Sequence, residues 1–407
     1  MIYGGEKMKI AVIGGGASGL ACAIECARKA ERENKKVQIT VFESADRVGK
    51  KILVTGNGRC NMMNENENVP YFGDDAFTRY ALDRYDVKSN LSFFASMGLY
   101  TKSDSEGRVY PLSNQASGVL DALRFECERL GVQFICSNTV TAVKKVGSTF
   151  DIGGYRADKV VLACGGKAGV KGYQAYEILR NLGHNVITPS PALTKLNVKD
   201  TRYVKQLKGV RHKGNITLYI DGRKTAEESG EVQFADYGLS GIAVMQFSSF
   251  VTREKSKDIR VAFDTVPDFS YGELENALER IISSNPSLLC ENLLTGFMPK
   301  KLGGIILKSC GISIAEKVSC LNMKDIKAVV SLSKKLTFEI EGVRGFEEAQ
   351  VTAGGADTRQ FSDKTMESKK HKGLYCTGEM LNVDGFCGGY NLMWAWSSGR
   401  LCGSSLI

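Results

Sequence analysis

Gly14, Gly16 and Gly19 stand in the G-x-G-x-x-G spacing inside Lys9–Leu20 (KIAVIGGGASGL), directly after an apolar run and directly before a helix-forming one. Glycines so spaced permit a tight turn, let the backbone approach a pyrophosphate, and let a helix pack closely on the preceding strand. The free N–H groups and the dipole of the helix start then favour an anion. Glu43 ends the next strand-like run, Val37–Glu43 (VQITVFE), at the point where an acidic side chain accepts from ribose hydroxyls. A glycine-rich turn and a solvated charge would explain each feature singly. The strand–turn–helix–strand order favours a dinucleotide site.

Two further segments carry similar chemistry. Arg47–Asn61 (RVGKKILVTGNGRCN) is glycine-rich and basic, and can set backbone donors and a cation against phosphates or a polarised ring. Val383–Leu392 (VDGFCGGYNL) opens a helix predicted over Met393–Cys402, so Asp384 and backbone N–H groups can face phosphate or ribitol. Between them, the buried strand Lys159–Leu162 runs into Gly165-Gly166, the form in which a chain returns to a first sheet and touches a dinucleotide.

The elements that must position these groups read as follows. Helices are predicted over Asp75–Met97 and Ser117–Leu130, the second closed by Gly131, with an exposed loop over Asn61–Asn68. Val132–Ile135 and Thr139–Val143 read as strands, and Phe150–Ile152 with Tyr155–Ala157 as a hairpin. After Pro189 and Pro191 short β runs dominate to Phe263, with Asp221-Gly222 as a turn and an apolar helix over Ile242–Phe250. Tyr271–Ala315 reads as helical, and Lys327–Val330 and Leu336–Ile340 as strands. Trp394 and Trp396 are assigned to core packing. The expected architecture is α/β, a doubly wound domain over 1–194 and 346–407 with a β-rich insertion over 195–345 whose helical part covers about 268–320.

Composition narrows the function. The chain has 407 residues, enough for two or three cores, and its 43% hydrophobic and 24% charged content is that of a globular protein. The net charge of +9 comes from Lys and Arg spread along the chain with no tract interleaved with aromatics, so small anionic molecules rather than nucleic acid are the expected partners. Twelve cysteines include no C-x-x-C pair, which points to a reduced, cytoplasmic protein and rejects disulfide-reductase chemistry. Three isolated histidines give no metal site. The N-terminus lacks the pattern of a signal peptide, with Met8 a second possible start, and no apolar run suits a membrane span. The oligomeric state is not readable.

Taken together, Ile13–Gly19, Lys50–Asn61 (KKILVTGNGRCN) and Gly378–Leu392 (GEMLNVDGFCGGYNL), with Tyr237–Gly241 (YGLSG) and Glu347–Gly355 (EEAQVTAGG), resemble a bacterial family of FAD-binding oxidoreductases. That family includes the aminoacetone oxidases and the 3-dehydro-bile acid Δ4,6-reductases. The resemblance covers nearly the whole chain. It implies a Rossmann-like FAD domain built from both chain ends, interrupted by a β-barrel-like domain and a small helical one. It implies FAD contacts at Ala17, Ser18, Glu43, Lys51, Thr55, Gly56, Asn57, Val140, Glu379, Asp384, Asn391 and Leu392. Asn382 departs from a frequent Asp of the family, and Met393 from a common Gln.

The leading expectation is hydride transfer from reduced flavin to a conjugated double bond of a 3-oxo steroid acid, with NADH as transient electron donor. Tyr237 and then Cys60 are the candidate proton donors. The alternatives are an amine oxidase reoxidised by oxygen, and a flavoprotein that senses redox state or binds RNA or protein without turnover.

Overall fold

The computed structural model describes residues 7–170, 172–256 and 258–407. The chain forms two compact units, one made of residues up to Ser190 together with Val351–Ile407 and the other of Pro191–Gln350. The insertion is thus wider than the 195–345 expected.

In the first unit, Met8–Ile13 is the central strand of a five-stranded parallel sheet ordered Leu374–Cys376, Lys159–Leu162, Met8–Ile13, Val37–Phe42, Gln133–Ile135. Both ends of the chain contribute to it. Ile10, Ala11, Val12, Val160, Val161 and Leu162 are fully buried, which is why these strands read as unbroken apolar runs. The Ala17–Arg32 and Tyr390–Ser405 helices pack almost backbone to backbone. A Cβ on Gly399 would lie 2.3 Å from the Ser18 carbonyl oxygen, and one on Gly403 2.4 Å from that of Cys22. Trp394 and Trp396 are buried, their indole N–H groups donating to the carbonyls of Gly378 and Met62.

The second unit is a closed antiparallel barrel in the order Leu196–Val198, Gly238–Ser240, Arg223–Ala235, Arg211–Ile220, Ile259–Asp264, Leu336–Val343. Along Arg211–Ile220 every second residue from Gly214 on is buried, the period-two signature of a strand with one face inward. Ile216, Leu218, Phe234, Val261 and Phe263 fill the interior. Helices Tyr271–Ser284, Lys300–Ser309 and Met323–Lys334 form the helical part.

Four local expectations are corrected. Lys327–Val330 is helix, started by an Asn322–Asp325 capping box. Thr139–Val143 forms no strand. Asp75–Met97 breaks in two because Asp86 caps a new helix, accepting from the Ser89 N–H. Asn61–Asn68 is only half a surface loop, since Met62, Met63 and Asn64 are buried.

Candidate functional site

The Ala17–Arg32 helix starts at Gly16 with no side-chain cap and no acidic residue in its first turn, so its leading N–H groups and positive dipole end stay available. The three glycines divide the work. Gly14 has φ +108°, and a Cβ there would lie 2.3 Å from the Ala163 carbonyl oxygen. A Cβ on Gly19 would lie 2.0 Å from the Gly14 carbonyl oxygen. At Gly16 a Cβ would meet nothing within 4 Å. Two glycines close the turn; the middle one leaves it open to a ligand. Ala17 and Ser18 form the first helical turn, Ser18 buried beside Gly378.

Glu43 is oriented from two sides. One carboxylate oxygen accepts from the Gly15 N–H at 2.9 Å, the other from the Ala45 N–H at 2.8 Å and the Ser44 hydroxyl at 3.1 Å. The Asn138 N–H donates to the Glu43 carbonyl at 2.9 Å, which fixes the start of the segment carrying half-buried Val140. This arrangement suits a sugar next to the glycine turn.

Lys51 and Glu379, distant in sequence, meet at 2.8 Å. The other Glu379 oxygen accepts from the Thr352 N–H at 2.8 Å, and a Cβ on Gly166 would lie 2.4 Å from it. One carboxylate therefore joins the Lys50–Asn61, Glu347–Gly355 and Gly378–Leu392 segments to the end of the Lys159–Leu162 strand. Thr55 closes its turn by donating to the Ile52 carbonyl at 2.7 Å, and Gly56 and Asn57 both lie in the left-handed region at φ 55°.

The helix Tyr390–Ser405 also begins without a side-chain cap or an early acid, behind Gly389 at φ 107°. Leu392 lies half-buried in that first turn. The Asn391 side chain is used within the preceding loop: it accepts from the Gly385 N–H at 2.8 Å and donates to the carbonyls of Gly385 and Phe386 at 2.8 and 3.2 Å. Asp384 is enclosed by protein, with its backbone bridged to Phe72. Two groups escaped the reading of the sequence. Thr352 supplies an N–H to Glu379, and Tyr173 donates to the Gly165 carbonyl at 2.5 Å.

The two candidate proton donors have different surroundings. Cys60 is fully buried, and burial pushes its thiol up to about 11, so it packs beneath the 55–61 turn. Tyr237 belongs to the barrel unit, half-buried, with the Arg344 guanidinium 4.8 Å and the Lys195 ammonium 5.7 Å from its ring centre. Both cations bind Glu348 at 2.6 Å. Among the described residues no group of three or more His, Cys, Asp or Glu side chains could hold a metal ion, and no helix is long and apolar enough to cross a membrane.

An open glycine turn between strand and helix, an oriented acid on the next strand and an inserted antiparallel barrel define a Rossmann-type nucleotide-binding protein. The chain belongs to the family described as "HI0933-like protein Rossmann domain", whose model matches residues 8–405. It is 38% identical over 407 residues to the 3-dehydro-bile acid delta(4,6)-reductase of Clostridium scindens, covering 97% of this chain and 98% of that protein. It is 30% identical to the ribosomal RNA dihydrouridine synthase of Escherichia coli, covering 99% and 98%. The same-named protein of Haemophilus influenzae is 28% identical, with 97% of each chain covered. Among solved structures, the Mycobacterium smegmatis Sdh1 complex in the apo form aligns over 98% of this chain and 68% of that one at 13% identity and a TM-score of 0.43.

Proposed function

We propose that this protein is an FAD-dependent reductase that saturates a carbon–carbon double bond conjugated to a carbonyl. The observation that carries the reading is the pairing of an open Gly16 turn with 38% identity, through both units, to a protein named as a reductase. The cradle fits a dinucleotide: two uncapped helix starts suit phosphate charge and a ring that gains electrons, and Glu43 suits a ribose. When bound, FAD supplies a hydride to the substrate carbon, with NADH as the proposed source of electrons. The N–H groups of Gly16 to Ser18 hold the pyrophosphate in this reading, while Lys51, held by Glu379, brings positive charge near the Thr55–Asn57 turn. Tyr237 is the residue proposed to hold the proton that completes the reduction. Twelve free cysteines suit a reducing, cytoplasmic setting.

The proposed substrate is a 3-oxo steroid acid with conjugated double bonds. A second reading, favoured by the two dihydrouridine synthase relatives that also span the whole chain, is reduction of uridine within ribosomal RNA. The chemistry is shared, because the ring double bond of uracil is also conjugated to a carbonyl.

Anaerobic spectroscopy tests both. NADH is expected to bleach the bound flavin, and either a 3-oxo-4,6-diene bile acid or unmodified ribosomal RNA to restore its colour. Mass spectrometry of the product distinguishes a saturated steroid from dihydrouridine. Bleaching by aminoacetone with no response to either acceptor would overturn the proposal in favour of an amine oxidase.

A further inference from the structure

Five lysines gather at one end of the first unit: Lys144 and Lys145 on the hairpin strand Lys144–Val146, and Lys369, Lys370 and Lys372 in the loop before Leu374–Cys376. One bond ties the hairpin to the loop. The Lys145 ammonium donates to the Lys372 carbonyl at 2.9 Å and the Ser148 carbonyl at 3.2 Å, and lies 3.9 Å over the Phe150 ring. Lys369 donates to the Arg359 carbonyl at 3.1 Å and Lys370 to the Gly183 carbonyl. Carbonyl partners hold an ammonium in place without cancelling its charge. Among the described residues none of the five has a carboxylate partner, in contrast to Lys199, Lys208 and Lys224 of the barrel unit, which pair with Glu339, Asp236 and Glu227. The nearby acids are Asp151, which stands opposite Lys144 across the hairpin and pairs with Arg156, Glu367, whose charge acts on Lys145 and one oxygen of which accepts from the Gly373 N–H, and exposed Asp363.

This end is not the cradle. Lys372 lies next to Gly373, whose carbonyl accepts from Val160 near the N-terminal ends of two parallel strands. The glycine turn follows the C-terminal end of Met8–Ile13. The sheet separates the two by about 15–20 Å, at roughly 3.3 Å per strand residue. A steroid bound at the cradle has no use for charge so far away. A folded polyanion does.

We propose that this lysine cluster docks the phosphodiester backbone of a structured RNA, holding it at a second place beyond the cradle. The inference rests on the second reading of function and adds to it the surface that selects an RNA over a free nucleoside. An anionic membrane fits less well, because the lysines lie on a hairpin and a loop rather than an amphipathic helix, with Val146 the exposed large apolar side chain among them.

The test uses the full-length FAD-loaded protein and a labelled fragment of ribosomal RNA, with binding followed by fluorescence anisotropy between about 50 and 200 mM salt. The variant K144Q/K369Q/K372Q is expected to bind at least about tenfold more weakly, and its salt slope to fall by about 2 to 3, at 0.7–0.9 per lost phosphate contact. FAD content is expected to stay unchanged, and the control K301Q/K317Q/K324Q to bind as the parent does. No RNA binding by the parent, equal loss in the control, or preference of the parent for phosphatidylserine vesicles over RNA would overturn the proposal. RNA held through these lysines without dihydrouridine formation would keep the docking surface and remove the second reading alone.

Discussion

Gly16→Val separates what the glycine turn owes to the fold from what it owes to a ligand. Gly16 has φ −84° and ψ −166°, extended backbone that any residue adopts, and a Cβ there meets nothing within 4 Å. The ligand-free protein is therefore expected to lose no more than about 0.5 kcal/mol, the usual range for a substitution away from packed features. The valine methyls would occupy the space through which the backbone N–H groups reach a pyrophosphate. Losing one charge-assisted hydrogen bond costs about 1.5–3 kcal/mol, or roughly ten- to hundredfold in affinity at 1.4 kcal/mol per decade. Gly14→Val is the counterpart: with φ +108° and a Cβ 2.3 Å from the Ala163 carbonyl oxygen, it strains the strand end itself. Thermal unfolding of both apoproteins and titration of FAD fluorescence read the two effects apart. FAD binding by Gly16→Val at parental affinity, or an apoprotein melting as low as Gly14→Val, would refute the reasoning.

Gly399→Val drives a side chain into the Ser18 carbonyl and is expected to cost about 1–3 kcal/mol or more by overpacking, read as a lower urea midpoint and reduced FAD retention. Arg400→Met leaves Glu25, its buried partner at 3.0 Å, without its main counter-charge; a loss of about 3–5 kcal/mol is expected, with much of it recovered in Glu25→Leu/Arg400→Met. Burial lowers the pKa of His184 in the folded state, so on acidification the unfolded chain binds the proton first. The His184 contribution is thus fully present above about pH 6.5 and falls below it; His184→Gln should flatten that part of the urea-midpoint profile, and an unchanged slope would count against it. Cys60→Ala is expected to keep turnover while lowering stability, whereas Tyr237→Phe is expected to slow turnover and leave FAD binding intact.

Much of the cradle was legible because its chemistry is local. Gly14, Gly16, Gly19 and Glu43 fall within one strand–helix–strand unit, and the backbone alone decides what each glycine permits. The Lys51–Glu379 pair was not legible as a pair, because the residues are 328 positions apart and only the sheet order brings them together. The bonds inside the terminal glycine-rich loop were not legible either: the Asn391 amide accepts from the Gly385 N–H and donates to its carbonyl, a tie that residue types alone do not announce. Lys327–Val330 misled because β-branched residues suggested a strand. Ile326, Val329, Val330 and Ser333 nonetheless form one buried helical face behind a capping box. Thr139–Val143 failed in reverse, since Ser137 turns the chain through the left-handed region at φ 52° and the backbone runs on without strand pairing.

The close seat of Tyr390–Ser405 on Ala17–Arg32 sets an order of events during synthesis. The face that receives Gly399 and Gly403 is finished early on the ribosome, but its cover is translated more than 360 residues later. At about 5–20 residues per second that wait lasts roughly 20–75 s. Newly made chains must therefore carry an unclosed nucleotide fold until Tyr390–Ser405 has been made, so flavin loading waits for that helix, and scarcity of the vitamin would be felt by chains that already hold it rather than by shorter ones.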